Sequence, residues 1–216
     1  MSDFTGLNNL TSIGGNLYLT YPPDSLNGLD NLNTIEGDLV IGSDGQFFYG
    51  TILTSLMGLH SLTSIGGELY ISNSAITSLS GLDRLISIGG GLTIAGHMSL
   101  ISLTGLDNLL TIRGDLNISG NPVLISLAGL DNITAASINN LRIIFNDSLS
   151  NCAVRSIFDY LASPNGVVDI GSNATGCSGQ WEVEAACDTL SVRDLIIGGQ
   201  YWELRTGNCK LIITND

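Results

Sequence analysis

Residues 105–128 read GLDNLLTIRGDLNISGNPVLISLA, and the stretch is one copy of a unit that the chain repeats. The opening GLDNL recurs, with substitutions, at Gly6, Gly28, Gly58, Gly81, Gly105 and Gly129, at spacings of 22, 30, 23, 24 and 24 residues. Periods of this length with fixed apolar positions describe a solenoid, in which each unit buries its apolar side only against its neighbours. Six positions per unit are apolar. Three lead into the strand: Leu106, Leu109 and Ile112, with their equivalents from Leu7, Leu10 and Ile13 onward. A Leu-x-Ile pair follows, as Leu17/Leu19, Leu39/Ile41, Leu69/Ile71, Leu92/Ile94 and Leu116/Ile118. The sixth is the Leu of a Ser-Leu step, at Leu56, Leu79, Leu103 and Leu127.

Leu-x-Ile has a period of two, so both apolar residues face inward and the middle residue faces out. Stacked coils then form a parallel sheet with strands ~4.8 Å apart. No segment within a unit is long enough for a 3.6-residue period, so each coil is strands and tight turns. Gly15, Gly37, Gly67, Gly90 and Gly114 precede the strand and predict a positive φ there, as does the Gly that opens each unit. Ser12, Thr34, Ser64, Ser87 and Thr111 form one inward polar column, Ser55, Ser78, Ser102 and Ser126 a second, and Asn9, Asn31, Asn108 and Asn132 a third. Their expected role is to satisfy backbone groups at the corners.

The 216 residues carry 20 acidic and 7 basic side chains, for a net charge of −13. That balance excludes a nucleic-acid footprint and disfavours anionic membrane surfaces. No apolar run reaches the length of a membrane span, so no membrane insertion is expected. Only two histidines are present, and GxSxG, HExxH and P-loop patterns are all missing. The expectation is a non-catalytic chain without cofactor or bound metal. A row of Asp30, Asp83, Asp107 and Asp131 has two readings, a calcium site or a set of turn-forming carboxylates, and the second is preferred.

The four cysteines, Cys152, Cys177, Cys187 and Cys209, all follow the repeats and lack zinc or redox spacing. An even set at one end predicts a disulfide-stapled cap on a secreted protein; four reduced buried thiols in a cytosolic one is the alternative. Residues 153–162 place Val154, Ile157, Phe158 and Leu161 on one helical face, with Asn151 available as its cap. Residues 167–170 read as one more strand, and 180–188 as a short second helix. Short antiparallel strands are expected at 195–197, 201–205 and 211–214. The organisation is thus a solenoid over 4–150, a cap over 151–189, and an extension over 190–216 that is either part of the cap or the start of a next domain. At the other end Phe4 and Leu7 enter the pattern at once, so the first coil is expected to be open unless upstream residues or another molecule cover it.

The units GLDNLxxIxGxLxI with a following N-x-x-L-x-S-L resemble the repeats of receptor L domains, the ligand-binding modules of insulin- and epidermal-growth-factor-type receptors. They are more similar still to leucine-rich surface proteins of Bacteroidetes-type bacteria, in which LTSIGGxLYI repeats precede a cap like Asn151-Cys152-Ala153-Val154 through Asn173-Ala174-Thr175-Gly176-Cys177. The resemblance covers residues 4–187. It implies a mainly β, right-handed β-helix-like leucine-rich-repeat solenoid of about six coils, secreted or displayed on the cell surface, whose leader lies outside this sequence. It also points to Cys152–Cys177 as one bridge. The family's further cysteine is Phe158 here, which leaves Cys187 to pair with Cys209.

The candidate ligand face is the outside of the sheet. Its first three rungs carry Tyr18, Asp38, Val40, Glu68 and Tyr70, and aromatic rings beside carboxylates suit sugar or protein ligands. The long second unit inserts Phe47-Phe48-Tyr49 beside Val40, and such insertions often serve the binding face. The expected function is a binding or adhesion module for a protein or glycan. A structural envelope spacer is the first rival. A carbohydrate-active enzyme using a carboxylate pair such as Asp38 and Glu68 is the second.

Overall fold

The computed structural model describes residues 3–20, 25–42, 53–188, 203–206 and 209–212, with backbone only from residue 187 onward. It is a mainly β solenoid of about six turns. Each coil supplies a two-residue strand and then a longer one. The two-residue strands are β1 (Ser12–Ile13), β3 (Thr34–Ile35), β5 (Ser64–Ile65), β7 (Ser87–Ile88) and β9 (Thr111–Ile112), and they stack as a five-stranded parallel sheet. The longer strands are β2 (Leu17–Leu19), β4 (Leu39–Ile41), β6 (Leu69–Ser72), β8 (Leu92–Ala95) and β10 (Leu116–Ser119). They are joined by β11 (Leu141–Ile144) and β12 (Val168–Gly171) in a seven-stranded parallel sheet, ordered along the solenoid.

Register follows the repeat. Leu17, Leu39, Leu69, Leu92 and Leu116 align across the rungs, as do Leu19, Ile41, Ile71, Ile94 and Ile118. From the second coil onward these Leu and Ile side chains are fully buried, in one continuous core. The GLDNL corner explains its own conservation of pattern. In the second coil, Leu29 N–H donates to Leu26 C=O and Leu32 N–H to Leu29 C=O, closing two consecutive turns. The opening glycines, from Gly6 to Gly129, have φ between 104° and 112°, as expected for turn glycines.

The glycines before the long strand behave differently. Gly15, Gly37, Gly67, Gly90 and Gly114 do not have positive φ, contrary to expectation. Most are there for closeness. A Cβ on Gly37 would strike Asn16 Oδ1, one on Gly67 would strike Asp38 Oδ1, and one on Gly114 would lie 2.6 Å from Gly91 N. Successive coils touch at this corner, and only a hydrogen fits between them.

Helix α1 (Arg155–Ala162) closes the solenoid end with Ser156, Ile157, Tyr160 and Leu161 buried. Tyr160, not Phe158, is the large buried ring: its Oη donates to Asn139 C=O and accepts from Gly166 N–H. Asn151 does not cap this helix; Asp131 does, its Oδ1 accepting Arg155 N–H at 3.1 Å. Helix α2 spans Gln180–Asp188, as predicted. Its Glu182 accepts N–H groups of Gly176 and Ser178, which holds that carboxyl below its ordinary pKa. Cys152 and Cys177 are buried and disulfide-bonded, tying the last corner to the cap. The Cys187–Cys209 pairing and a strand at 195–197 lie outside the described residues. Strands β13 (Glu203–Thr206) and β14 (Cys209–Ile212) form an antiparallel pair, shifted about two residues from expectation. No helix among the described residues is long and apolar enough to cross a membrane.

Candidate functional site

The seven-stranded sheet has one outward-facing row: Tyr18, Val40, Tyr70, Thr93, Asn117, Arg142 and Asp169, in register from β2 to β12. The first three rungs therefore bring Tyr18, Val40 and Tyr70 together as the sequence reading places them. Tyr18 is 58% exposed, Val40 and Tyr70 partly so. Asp38 and Glu68 lie one step upstream, at the entry to their strands. The Asp38 carboxylate accepts Glu68 N–H at 2.8 Å, so it stitches two coils together. Phe47, Phe48 and Tyr49 lie outside the described residues.

The best-formed concavity on this face is displaced toward the C-terminal rungs. It is an open groove of about 590 Å³ that shares only Glu68 with the predicted patch. Its floor is backbone, at Gly90, Gly91 and Gly114. It is also lined by Glu68, Thr93, Arg113, Asp115, Asn117, Asn140, Arg142 and Asp169, and by the apolar Leu116, Leu141 and exposed Val167. Arg142 pairs with Asp169 across adjacent rungs at 3.2 Å. Thr93 Oγ1 donates to Glu68 at 3.3 Å. The Asn117 carbonyl oxygen is buried with no donor. A second open groove, about 580 Å³, runs over the five-stranded sheet past Ser64 and Ser87, and Arg113 lines both. The sequence reading missed Arg113, Arg142 and Asp169. The available signal was the outward position before each strand, which is Asn16, Asp38, Glu68 and Asp115 in four coils and Gly91 in the fifth.

The remaining polar columns are structural. Asp30, Asp83 and Asp107 each accept the N–H of the glycine two residues earlier, at 2.7–3.0 Å, which is the turn role. Ser55, Ser78, Ser102 and Ser126 accept the N–H two residues on. Asn31, Asn108 and Asn132 donate to the carbonyls of Asn8, Asp83 and Asp107 in the preceding coil. They do so from exposed positions rather than the inward ones expected. Among the described residues no group of three or more His, Cys, Asp or Glu side chains is placed to hold a metal ion.

A buried polar ladder was not foreseen. Asn146 Oδ1 accepts Asn121 N–H, and Asn173 Oδ1 accepts Asn146 N–H. Asn121 in turn takes His97 N–H. His97 is fully buried, with Nε2 3.1 Å from Ile71 C=O and Nδ1 near Ser74 N–H and Oγ. Nε2 thus carries the proton, and burial pushes the imidazole pKa down from 6.5.

No family model, curated protein or solved structure matches this chain.

Proposed function

We propose that this chain is a non-catalytic binding module, secreted or displayed at the cell surface, that recognises a glycan or protein along the outer face of its seven-stranded sheet. The supporting observation is the groove of about 590 Å³ on that face, lined by amide, hydroxyl and charged side chains together with glycines and the apolar Leu116, Leu141 and Val167. Such a lining suits a glycan, whose hydroxyls can pair with the amide, hydroxyl and charged groups along it. Tyr70 and Tyr18 extend the face on the N-terminal side as a shoulder for a longer ligand. The mechanism is preorganisation: the strands are fixed by both neighbours, so little entropy is lost when a ligand docks. The buried disulfide supports an extracellular location. The test is a glycan array read with the chain and with Thr93→Lys, which places a long cation in the groove without touching the core. Specific binding by the parent and its loss in the variant support the reading. Binding that Thr93→Lys leaves unchanged would place the ligand elsewhere, and an array without any binding would favour a spacer.

A further inference from the structure

The outer face is stitched by a repeated device. A side-chain oxygen on one coil accepts the backbone N–H of the equivalent residue on the next. Asn16 serves Asp38 N–H, Asp38 serves Glu68 N–H, and Asn140 serves Val167 N–H, each at 2.8 Å; Asp115 serves Asn140 N–H at 3.2 Å. Two consecutive rungs lack the stitch. At Glu68 the extra methylene carries the carboxylate past its target, and it takes the Thr93 hydroxyl instead. At Gly91 there is no side chain. The N–H groups of Gly91 and Asp115 are therefore left without an acceptor among the described residues. Both residues line the groove.

The space beside Gly91 is where an Asx oxygen sits on other rungs. A Cβ built there would lie 3.0 Å from Asp115 O and 3.4 Å from Asp115 N. Arg113, two residues before Asp115 on the same wall, is exposed and forms no ion pair among the described residues. The acidic neighbours are already committed: Asp115 to Asn140, through its N–H and its amide, and Asp169 to Arg142. The gap thus sets two N–H groups and the Arg113 guanidinium beside the carboxylates of Glu68 and Asp115, in a chain whose net charge is −13. The distant charge is screened beyond roughly 8–10 Å at physiological salt, so the geometry of these local groups decides.

We infer that the break in the ladder at Gly91 is a binding site for a ligand carboxylate, of the kind carried by a uronic-acid sugar. One carboxylate oxygen takes the place of the missing Asx oxygen and accepts Asp115 N–H. The other faces the Arg113 guanidinium, a charge-assisted pairing. Ring hydroxyls then exchange hydrogen bonds with Glu68 and Thr93 along the groove. A sugar is favoured over a peptide terminus because Glu68, Thr93, Asn117 and Asn140 offer polar groups for several ring hydroxyls. The inference rests on the outer-face reading above and narrows it.

The experiment is a titration of isotopically labelled protein with trigalacturonate, with neutral trigalactose, and with a short peptide bearing a free C-terminal carboxylate. The Gly91 and Asp115 amide resonances are the readout. Trigalacturonate is expected to shift both, with the neutral sugar and the peptide each at least about tenfold weaker, as fits the loss of a charged hydrogen-bond partner. Gly91→Asn restores the stitch and fills the gap; Arg113→Gln removes the charge from an exposed position. Each should weaken trigalacturonate at least about tenfold while the melting temperature holds. Equal binding of the neutral sugar at the same amides would overturn the carboxylate assignment and leave the outer face standing. Equal binding of the peptide would overturn the sugar assignment. Trigalacturonate binding that both variants leave intact would overturn the site. Groove amides unmoved by all three probes would remove the outer-face reading as well.

Discussion

Two ladders of side-chain oxygens run along this solenoid, and they differ in continuity. The inner one, through Asn121, Asn146 and the half-buried Asn173, runs unbroken through the coil corners, with buried His97 filling the rung before Asn121. The outer one, through Asn16, Asp38, Asp115 and Asn140, is missing two rungs. The chemistry is the same; the solvent is not. A buried N–H without an acceptor carries its full desolvation penalty, so each inner rung must be filled. An outer N–H can be served by water or by a ligand, so an outer rung is free to change. Breaks in the outer ladder are therefore where ligand recognition can evolve at little cost in stability.

The largest effect should come from the inner ladder. The Asn146 side chain accepts from Asn121 and donates to the carbonyls of Ile118 and Ile144 and to Asn173. Asn146→Ala leaves several buried groups unpaired at once and should cost roughly 2–5 kcal/mol in denaturant unfolding, at ~1–3 kcal/mol per orphaned group. That is comparable to truncating the core: Ile88→Ala, in a fully buried site, should also cost ~2–5 kcal/mol. Tyr70→Ala on the outer face should cost far less than either. A small loss at Asn146 would mean the inner ladder is not what holds the corners.

The disulfide closes the same ladder. Asn173 Nδ2 donates to Cys177 C=O at 3.0 Å, and Cys177 is bonded to Cys152 across 25 residues. Replacing both cysteines by Ala should cost about 3.5 kcal/mol, the loop-closure value for that length. A melting temperature that does not move on substitution would detach the cap from the stability of the coils.

The repeat made most of this architecture legible. Leu-x-Ile alternation placed the core because a one-residue slip would expose every rung. Residues 180–188 formed the helix expected. The inner ladder was hidden because its members are chemically mixed: Ser74 and His97 fill the rungs before Asn121, Asn146 and Asn173. Strand β11 was overlooked because Asn139 and Asn140 stand where earlier coils have glycine and Asp or Glu. The strand-entry glycines were read as φ-driven, whereas most answer to a neighbouring coil that sequence periodicity does not display. Leu7 is 44% exposed while its equivalent Leu106 is fully buried, since among the described residues Leu7 has a neighbouring coil on one side only. On the outer face, sequence favoured aromatic residues as anchors. The groove depends instead on a missing side chain, and Gly91 carries no chemistry a motif search would register.

His97 offers a pH test of the inner ladder. Its pKa is lowered in the native state by burial, while the unfolded chain titrates near 6.5. Below about pH 6.5 the unfolded state takes up a proton that the native state does not, so stability falls as pH falls, until the native imidazole also protonates. Stability is full above the unfolded value. Unfolding curves between about pH 7.5 and pH 5 should show this loss. His97→Asn, which matches the residue at the next rungs, should flatten that window. An unchanged pH slope in the variant would assign the effect to other groups.

The smallest effect should belong to the outer ladder. Asp38→Ala removes the acceptor for Glu68 N–H, but that N–H lies beside solvent and water replaces the carboxylate. The substitution also removes one negative charge from a chain carrying 20 acidic residues, which relieves repulsion slightly. The two changes oppose each other, and the net loss should stay below about 0.5 kcal/mol. The same comparison can be run in reverse with Gly91→Asn, which adds a rung instead of removing one; its Cβ presses on the Asp115 carbonyl oxygen at 3.0 Å, which opposes the new bond, so the net change should stay within about 0.5 kcal/mol. If Asp38→Ala instead costs as much as Asn146→Ala, the outer stitches are structural in the same sense as the inner ones. The gap at Gly91 would then be a costly defect, and its persistence in the chain would argue more strongly that something other than stability keeps it open.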